Sequence, residues 1–226
     1  MFQVRPKKAR PQSVALFGGT FDPIHLGHTR PLSELADQFG WSHVHLQPCF
    51  APPHRPAPAV SDTHRMRMVE LACEDDPRLV ADDFELRQQQ PTRTVHTLAH
   101  LQRQHPQASL CFIMGMDSFI NFTQWLNWQG ILELAHVIVL PRPGYQLEQV
   151  PEELQQRLTQ QGAPNLAQFS HGSGLIHLAD TQHQAISATQ LRQQLAARNI
   201  DTPCPELLAP KVYTYIQRHG LYQAKV

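Results

Sequence analysis

Short apolar runs alternate with amphipathic stretches through most of this chain. Val14-Ala15-Leu16-Phe17 is the first run, and it leads straight into Gly18 and Gly19. That pattern predicts a buried parallel strand ending in a tight turn. Leu32, Leu35, Ala36 and Phe39 follow at i, i+3, i+4 and i+7, a helical face that Gly40 stops. Pro31 reads as an early residue of that helix, where its missing N–H costs little. His43-Val44-His45-Leu46 predicts a second strand, followed by a loop carrying Pro48, Pro52, Pro53, Pro56 and Pro58. Ser61 or Asp62 can cap a helix with Met66, Val69, Leu71 and Ala72. Leu79-Val80-Ala81 and Phe84 suggest a third strand. Thr92 or Thr94 can cap a helix with Val95, Leu98 and Leu101.

Leu110-Cys111-Phe112-Ile113-Met114 predicts a buried strand ending at Gly115-Met116-Asp117. His136-Val137-Ile138-Val139-Leu140 predicts another, ending at Pro141-Arg142-Pro143-Gly144. Residues near 146–170 are rich in glutamine and read as a surface helix and loop. Leu175-Ile176-His177-Leu178 reads as the last strand, and Ser187 onward as helical. Tyr215, Ile216 and Gly220 mark a closing helix and its stop. The alternation predicts an α/β fold with a doubly wound, mostly parallel sheet. One domain is expected over 13–226, with a small helical part at about 186–226, after a loose tail at 1–12. In such sheets a ligand sits beyond the carboxyl ends of the strands, at the switch point. Gly18, Gly19, Asp117 and Arg142 all fall just past such ends.

The chain has 226 residues and a formal net charge of zero, so nothing in its charge draws it to nucleic acid or to a membrane surface. No apolar run is long enough to span a bilayer. The basic tail, with Arg5, Lys7, Lys8 and Arg10, lacks the apolar segment of a signal peptide. Cys49, Cys73, Cys111 and Cys204 are widely spaced, which argues against a disulfide scaffold and for a reducing, cytoplasmic setting.

Chemistry concentrates in Gly18-Gly19-Thr20-Phe21-Asp22-Pro23-Ile24-His25-Leu26-Gly27-His28. Glycines let backbone N–H groups approach an anion, and a helix N-terminus favours phosphate. His25 and His28, at i and i+3, share one face of such a helix. A two-histidine metal site would want a third ligand, and only Asp22 is near. Ile186-Ser187-Ala188-Thr189-Gln190-Leu191-Arg192 is a second group: Ser187 can cap a helix, Thr189 lies in its first turn, and Arg192 one turn further. Taken alone it is a capped helix with a surface arginine. Asp117 could cap the next helix, and a tryptophan such as Trp125 is more often core than ligand platform.

The first of these motifs resembles the signature of the H-x-G-H nucleotidylyltransferase superfamily. Its spelling is similar to that of the bacterial nicotinate-nucleotide adenylyltransferase family. The second resembles that family's Ile-Ser-x-Thr-x-x-Arg motif, and similarity extends over residues 13 to 223. The resemblance implies a Rossmann-like fold and transfer of AMP from ATP to nicotinate mononucleotide, giving deamido-NAD and pyrophosphate. It implies that His25, His28 and Arg192 do the catalytic work. Gly18, Gly19, Thr20, Phe21, Asp117, Ile186, Ser187 and Thr189 would join them around ATP, which brings its own Mg²⁺. Asp22, Arg55, Thr94, Trp125, Leu126 and Arg142 would bind the mononucleotide. Trp125 matches the tryptophan that stacks on the pyridine ring, and Arg55 stands where the family has lysine. Leu126 and Arg93 replace expected aromatics, and Met116 is less polar than its counterpart. Three other readings stay open: a nicotinamide-mononucleotide adenylyltransferase, a pantetheine-phosphate adenylyltransferase, and a non-catalytic nucleotide-binding protein. A dehydrogenase would want G-x-G-x-x-G after the first strand, which is missing.

Overall fold

Six parallel strands form the sheet of the computed structural model, which describes residues 13–50, 57–162, 169, 171–182, 187–197 and 206–223. The strands are β1 (Ser13–Gly19), β2 (Val44–Pro48), β3 (Leu79–Ala81), β4 (Ser109–Gly115), β5 (Ala135–Leu140) and β6 (Ile176–Leu178). Their order is β3-β2-β1-β4-β5-β6. The chain moves outward from β1 to β3, then returns to build β4 to β6 on the other side. The switch point therefore lies between β1 and β4, where Phe17 pairs with Ile113. β3 and β6 close the two sides with three residues each, and Gly162 bridges to Ile176 on β6.

Alternation along β1 explains the two layers of helices. Ala15 and Phe17 join one apolar cluster, and Val14 and Leu16 join the other. The first cluster takes in Leu32 and Leu35 of α1 (Leu26–Phe39), Met68 and Val69 of α2 (Asp62–Cys73), and Val212 and Ile216 of the last helix. The second takes in residues from helices on the opposite face. α3 (Phe84–Gln88) leads to α4 (Thr94–Gln104), which supplies Val95 and Leu98. α5 (Met116–Phe119) is a single turn, and α6 (Trp128–Leu134) packs against α4. α7 (Glu152–Gln161) adds Leu154. α8 (Ala188–Ala196) and α9 (Pro210–Arg218) complete the chain.

The expected strands and helices are present, with four differences. Arg93, rather than Thr92 or Thr94, stands at the N-cap of α4. Gly115 stands at the N-cap of α5, so Asp117 lies inside that turn instead of capping it. Pro31 lies inside α1 rather than in its first turn, because the helix already starts at Leu26, behind an extended His25. Phe84 opens α3 instead of extending β3: its N–H donates to the Asp82 carboxylate at 2.9 Å, which turns the chain. Ser61 caps α2 and Gly40 ends α1 in the left-handed region, as the sequence suggested. The tail at 1–12, Arg55, Ile186 and Cys204 lie outside the described residues. No described helix is long and apolar enough to cross a membrane.

Candidate active site

The end of β1 is shaped by a ring that folds back beneath it. Phe21 is buried and has φ +49. A Cβ placed on Gly19 would stand 2.8 Å from the Phe21 ring, so any side chain there must displace that buried ring. At Gly18 a Cβ would meet nothing within 4 Å. Packing therefore does not require a glycine at position 18. The turn is fixed from below by Arg65 of α2, which is fully buried. Arg65 donates to the Thr20 carbonyl and to the Cys49 carbonyl, each at 2.7 Å, and to Asp62 at 2.6 Å. It thus ties the end of β1 to the end of β2. The Thr20 hydroxyl receives the Cys49 thiol at 3.8 Å.

His25 is the N-cap residue of α1, and its backbone N–H donates to His28 Nδ1 at 3.3 Å. Accepting at Nδ1 leaves Nε2 as the donor of a neutral His28 ring. The two imidazoles stack at 3.7 Å between centroids, and Phe21 meets His28 edge-on at 5.2 Å. His25 is only 5% exposed, and its Nδ1 has no hydrogen-bond partner. Burial, and then the Arg142 charge, hold its imidazole down at about 3. His25 is thus a neutral imidazole at ordinary pH.

Asp117 and Arg142 stand just past β4 and β5, with Arg142 Nε 3.3 Å from Asp117 Oδ1. Gly115 makes room for that pair: a Cβ there would lie 2.5 Å from Asp117 Oδ1 and 3.3 Å from Arg142 Nε. Across the switch point, Ser187 caps α8 by accepting the Gln190 N–H at 3.1 Å. Arg192 donates through Nη2 to Thr189 Oγ1 at 3.2 Å and through Nη1 to the Asp22 carbonyl at 2.7 Å. The two motifs recognised at opposite ends of the sequence are therefore hydrogen-bonded to each other. A cleft of about 280 Å³ opens beside them, lined by His25, His28, Gly115, Arg142, Ser187 and Gln190 among others.

Trp125, Leu126 and Thr94 do not line that cleft, and neither do Gly18, Gly19, Thr20, Asp117, Thr189 or Arg192. Trp125 is half-buried, edge-on to Phe112 at 6.0 Å and to Phe122 at 5.7 Å. Leu126 is 55% exposed, and Thr94 opens α4. Phe21 offers a ligand only its backbone. The Asp22 carboxylate is already engaged, by Ala59 N–H at 2.7 Å and Tyr222 O–H at 2.8 Å. Sequence reasoning missed Arg65, although a signal existed. Arg65 precedes Met68, Val69 and Ala72 at helical spacing, so it shares their buried face. It also missed Tyr145 and Thr181, which line the cleft from segments without a local motif.

Among the described residues no group of three or more His, Cys, Asp or Glu could hold a metal ion. The imidazoles offer nitrogen where Mg²⁺ takes oxygen. The imidazoles and the Arg142 guanidinium that line this cleft are donors of the kind that phosphate oxygens accept from.

A sequence profile described as "Cytidylyltransferase-like" matches residues 16–194. A Serratia proteamaculans protein named "Probable nicotinate-nucleotide adenylyltransferase" is 43% identical over 211 residues, covering 92% of this chain and 94% of its own. A Pectobacterium atrosepticum protein of the same name is 44% identical over 217 residues, covering 94% of this chain and 100% of its own. Among solved structures, the Plasmodium falciparum nicotinic acid mononucleotide adenylyltransferase complexed with NaAD has the same fold. It superposes with a TM-score of 0.70 at 17% identity, covering 93% of this chain and 97% of the other. With its glycine turn, paired histidines and distant arginine joined at one switch point, the chain belongs to the cytidylyltransferase-like family and, within it, to the nicotinate-nucleotide adenylyltransferases.

Proposed function

We propose that this protein transfers AMP from Mg·ATP to nicotinate mononucleotide, releasing pyrophosphate and forming deamido-NAD. The observation that carries the reading is the 2.7 Å hydrogen bond from Arg192 to the Asp22 carbonyl, which joins two motifs whose His25, His28, Ser187 and Gln190 line one cleft. The relatives' name supplies the substrate pair. A phosphate oxygen of the mononucleotide attacks the α-phosphorus of ATP, and the bond to pyrophosphate breaks. That oxygen is already ionised near neutral pH, so no strong base is needed. The protein's work is alignment and charge stabilisation. His25 and His28 present ring N–H donors to the phosphates, and Arg192 presents its remaining guanidinium N–H groups. Asp117 is assigned to the ribose hydroxyls, with Arg142 beside it. Trp125 is assigned to the pyridine ring, and backbone N–H groups near Thr94 and Leu126 to its carboxylate. Magnesium arrives as part of the ATP substrate.

The test is to incubate the protein with Mg·ATP and either nicotinate or nicotinamide mononucleotide and to separate the products. Deamido-NAD should dominate, since a site built of donors leaves an amide NH₂ facing a donor. Trp125→Ala should weaken both mononucleotides and keep most of the preference. No dinucleotide from either substrate would reject adenylyl transfer, and a preference for the amide would overturn the substrate alone.

Gly18→Ala separates fold from chemistry. The new methyl group meets no protein atom, so the thermal midpoint should stay within about 2 °C of wild type. If the phosphates pack on that backbone, the KM for ATP should rise by about tenfold or more. Unchanged ATP kinetics would remove Gly18 from the phosphate site.

A further inference from the structure

Asp22 is 6% exposed, yet both of its carboxylate oxygens face protein donors, Ala59 N–H on Oδ2 and Tyr222 O–H on Oδ1. Its Oδ2 also lies 3.7 Å from Arg192 Nη1, too far for a hydrogen bond, while that same nitrogen is committed to the Asp22 carbonyl. Tyr222 comes from the segment beyond α9. Gly220 and Tyr222 both take left-handed backbone angles, φ +59 and φ +62, and the Leu221 N–H returns to the Ile216 carbonyl at 3.0 Å. A tyrosine holds that conformation only where its surroundings over-determine it. Here Leu221 and Tyr222 pack against the first apolar cluster. Burial, then the Asp22 charge, push the phenol above its ordinary range, so it remains a donor.

We propose that Tyr222 is a positioning residue for ATP: its hydroxyl holds the Asp22 carboxylate off Arg192 and so keeps the guanidinium aimed at phosphate. This rests on the assignment of Arg192 to the triphosphate. The reasoning is one of competition. Without the Tyr222 hydroxyl on Oδ1, the carboxylate keeps only the Ala59 N–H and the Arg192 guanidinium, both on the Oδ2 side, and shifts toward the charge. Oδ2 and Nη1 are already an ion pair at 3.7 Å; drawing them to hydrogen-bond distance strengthens it and withdraws charge from the ligand. Tyr222 thereby sets how much of the Arg192 charge an incoming nucleotide meets, although it lies 200 residues from Asp22 in the chain.

The experiment measures kcat and KM for Mg·ATP and nicotinate mononucleotide in four proteins: wild type, Tyr222→Phe, Arg192→Ala and the double variant. Phenylalanine keeps the packing and removes only the hydroxyl. Tyr222→Phe should raise the KM for ATP by about tenfold and leave that for the mononucleotide within about twofold. In the Arg192→Ala background it should add nothing, because the residue through which it acts is gone. An equal loss in both backgrounds, or ATP kinetics unchanged by Tyr222→Phe alone, would overturn the proposal. So would a Tyr222→Phe protein that fails to fold, since the hydroxyl would then hold the fold rather than aim a side chain. If Arg192→Ala itself leaves ATP kinetics intact, the assignment of Arg192 fails first and takes the proposal with it.

Discussion

His25→Ala and His28→Ala are each expected to lower kcat by about 10²–10³-fold, the loss typical of removing one donor from a charge-stabilising site. The geometry says why neither ring can stand in for the other. The imidazoles stack at 3.7 Å, and the His25 backbone N–H fixes the His28 ring through Nδ1. Each ring offers its own donor in its own direction. His25 adds a pH signature. Its imidazole is held at about 3 in the folded chain, against about 6.5 when unfolded. Below pH 6.5 the unfolded chain therefore binds a proton that the folded chain refuses. The contribution is fully present above pH 6.5 and is lost as pH falls toward 3, at up to about 1.4 kcal/mol per pH unit. His25→Gln should flatten that part of the stability profile, measured by denaturant unfolding between pH 7 and pH 4. Near-wild-type turnover in either alanine variant would reject the catalytic assignment. An unaltered pH profile in His25→Gln would show that another group carries the acid sensitivity.

Arg65→Ala is expected to destabilise the fold by about 3–5 kcal/mol, the range for breaking a buried charged contact from one side. Two backbone carbonyls, those of Thr20 and Cys49, would lose their donor beneath the glycine turn. Asp62 is 39% exposed and can be rehydrated, so most of the loss comes from the carbonyls and the vacated volume. Arg65→Lys should recover only part, since one ammonium cannot reproduce the guanidinium fork. Urea unfolding measures both variants. A loss under about 1 kcal/mol for alanine would mean that water replaces the guanidinium, and that the turn does not depend on it.

The sheet was legible because parallel strands buried on both faces read as continuous apolar runs, as at Leu110–Met114 and Val137–Leu140. Helix ends were legible where a cap is a local event, as at Ser61, Ser187 and Gly40. The His25–His28 pair and Arg192 were legible through extended motifs. The contacts that organise them were not. Asp22 finds Tyr222, and Arg65 finds Thr20, only after the chain has folded, and no local periodicity encodes such a meeting. Pro31 was misjudged because α1 starts from an extended histidine and not from a Ser, Thr, Asp or Asn cap. The neutral state of His25 follows from its burial and from Arg142, neither of which the motif itself records.

The sheet ends on both sides in strands of three residues, and on one of them Gly162 already bridges to Ile176. An exposed edge is a template on which a foreign strand can add, and its grip grows with the number of ladder bonds on offer. These margins offer few. The long, very apolar strands β1, β4 and β5 are sequestered in the middle of the sheet. The arrangement that sets the switch point at the centre therefore also protects the folded chain against sheet-to-sheet aggregation, and confines that hazard to states in which the central strands have come apart.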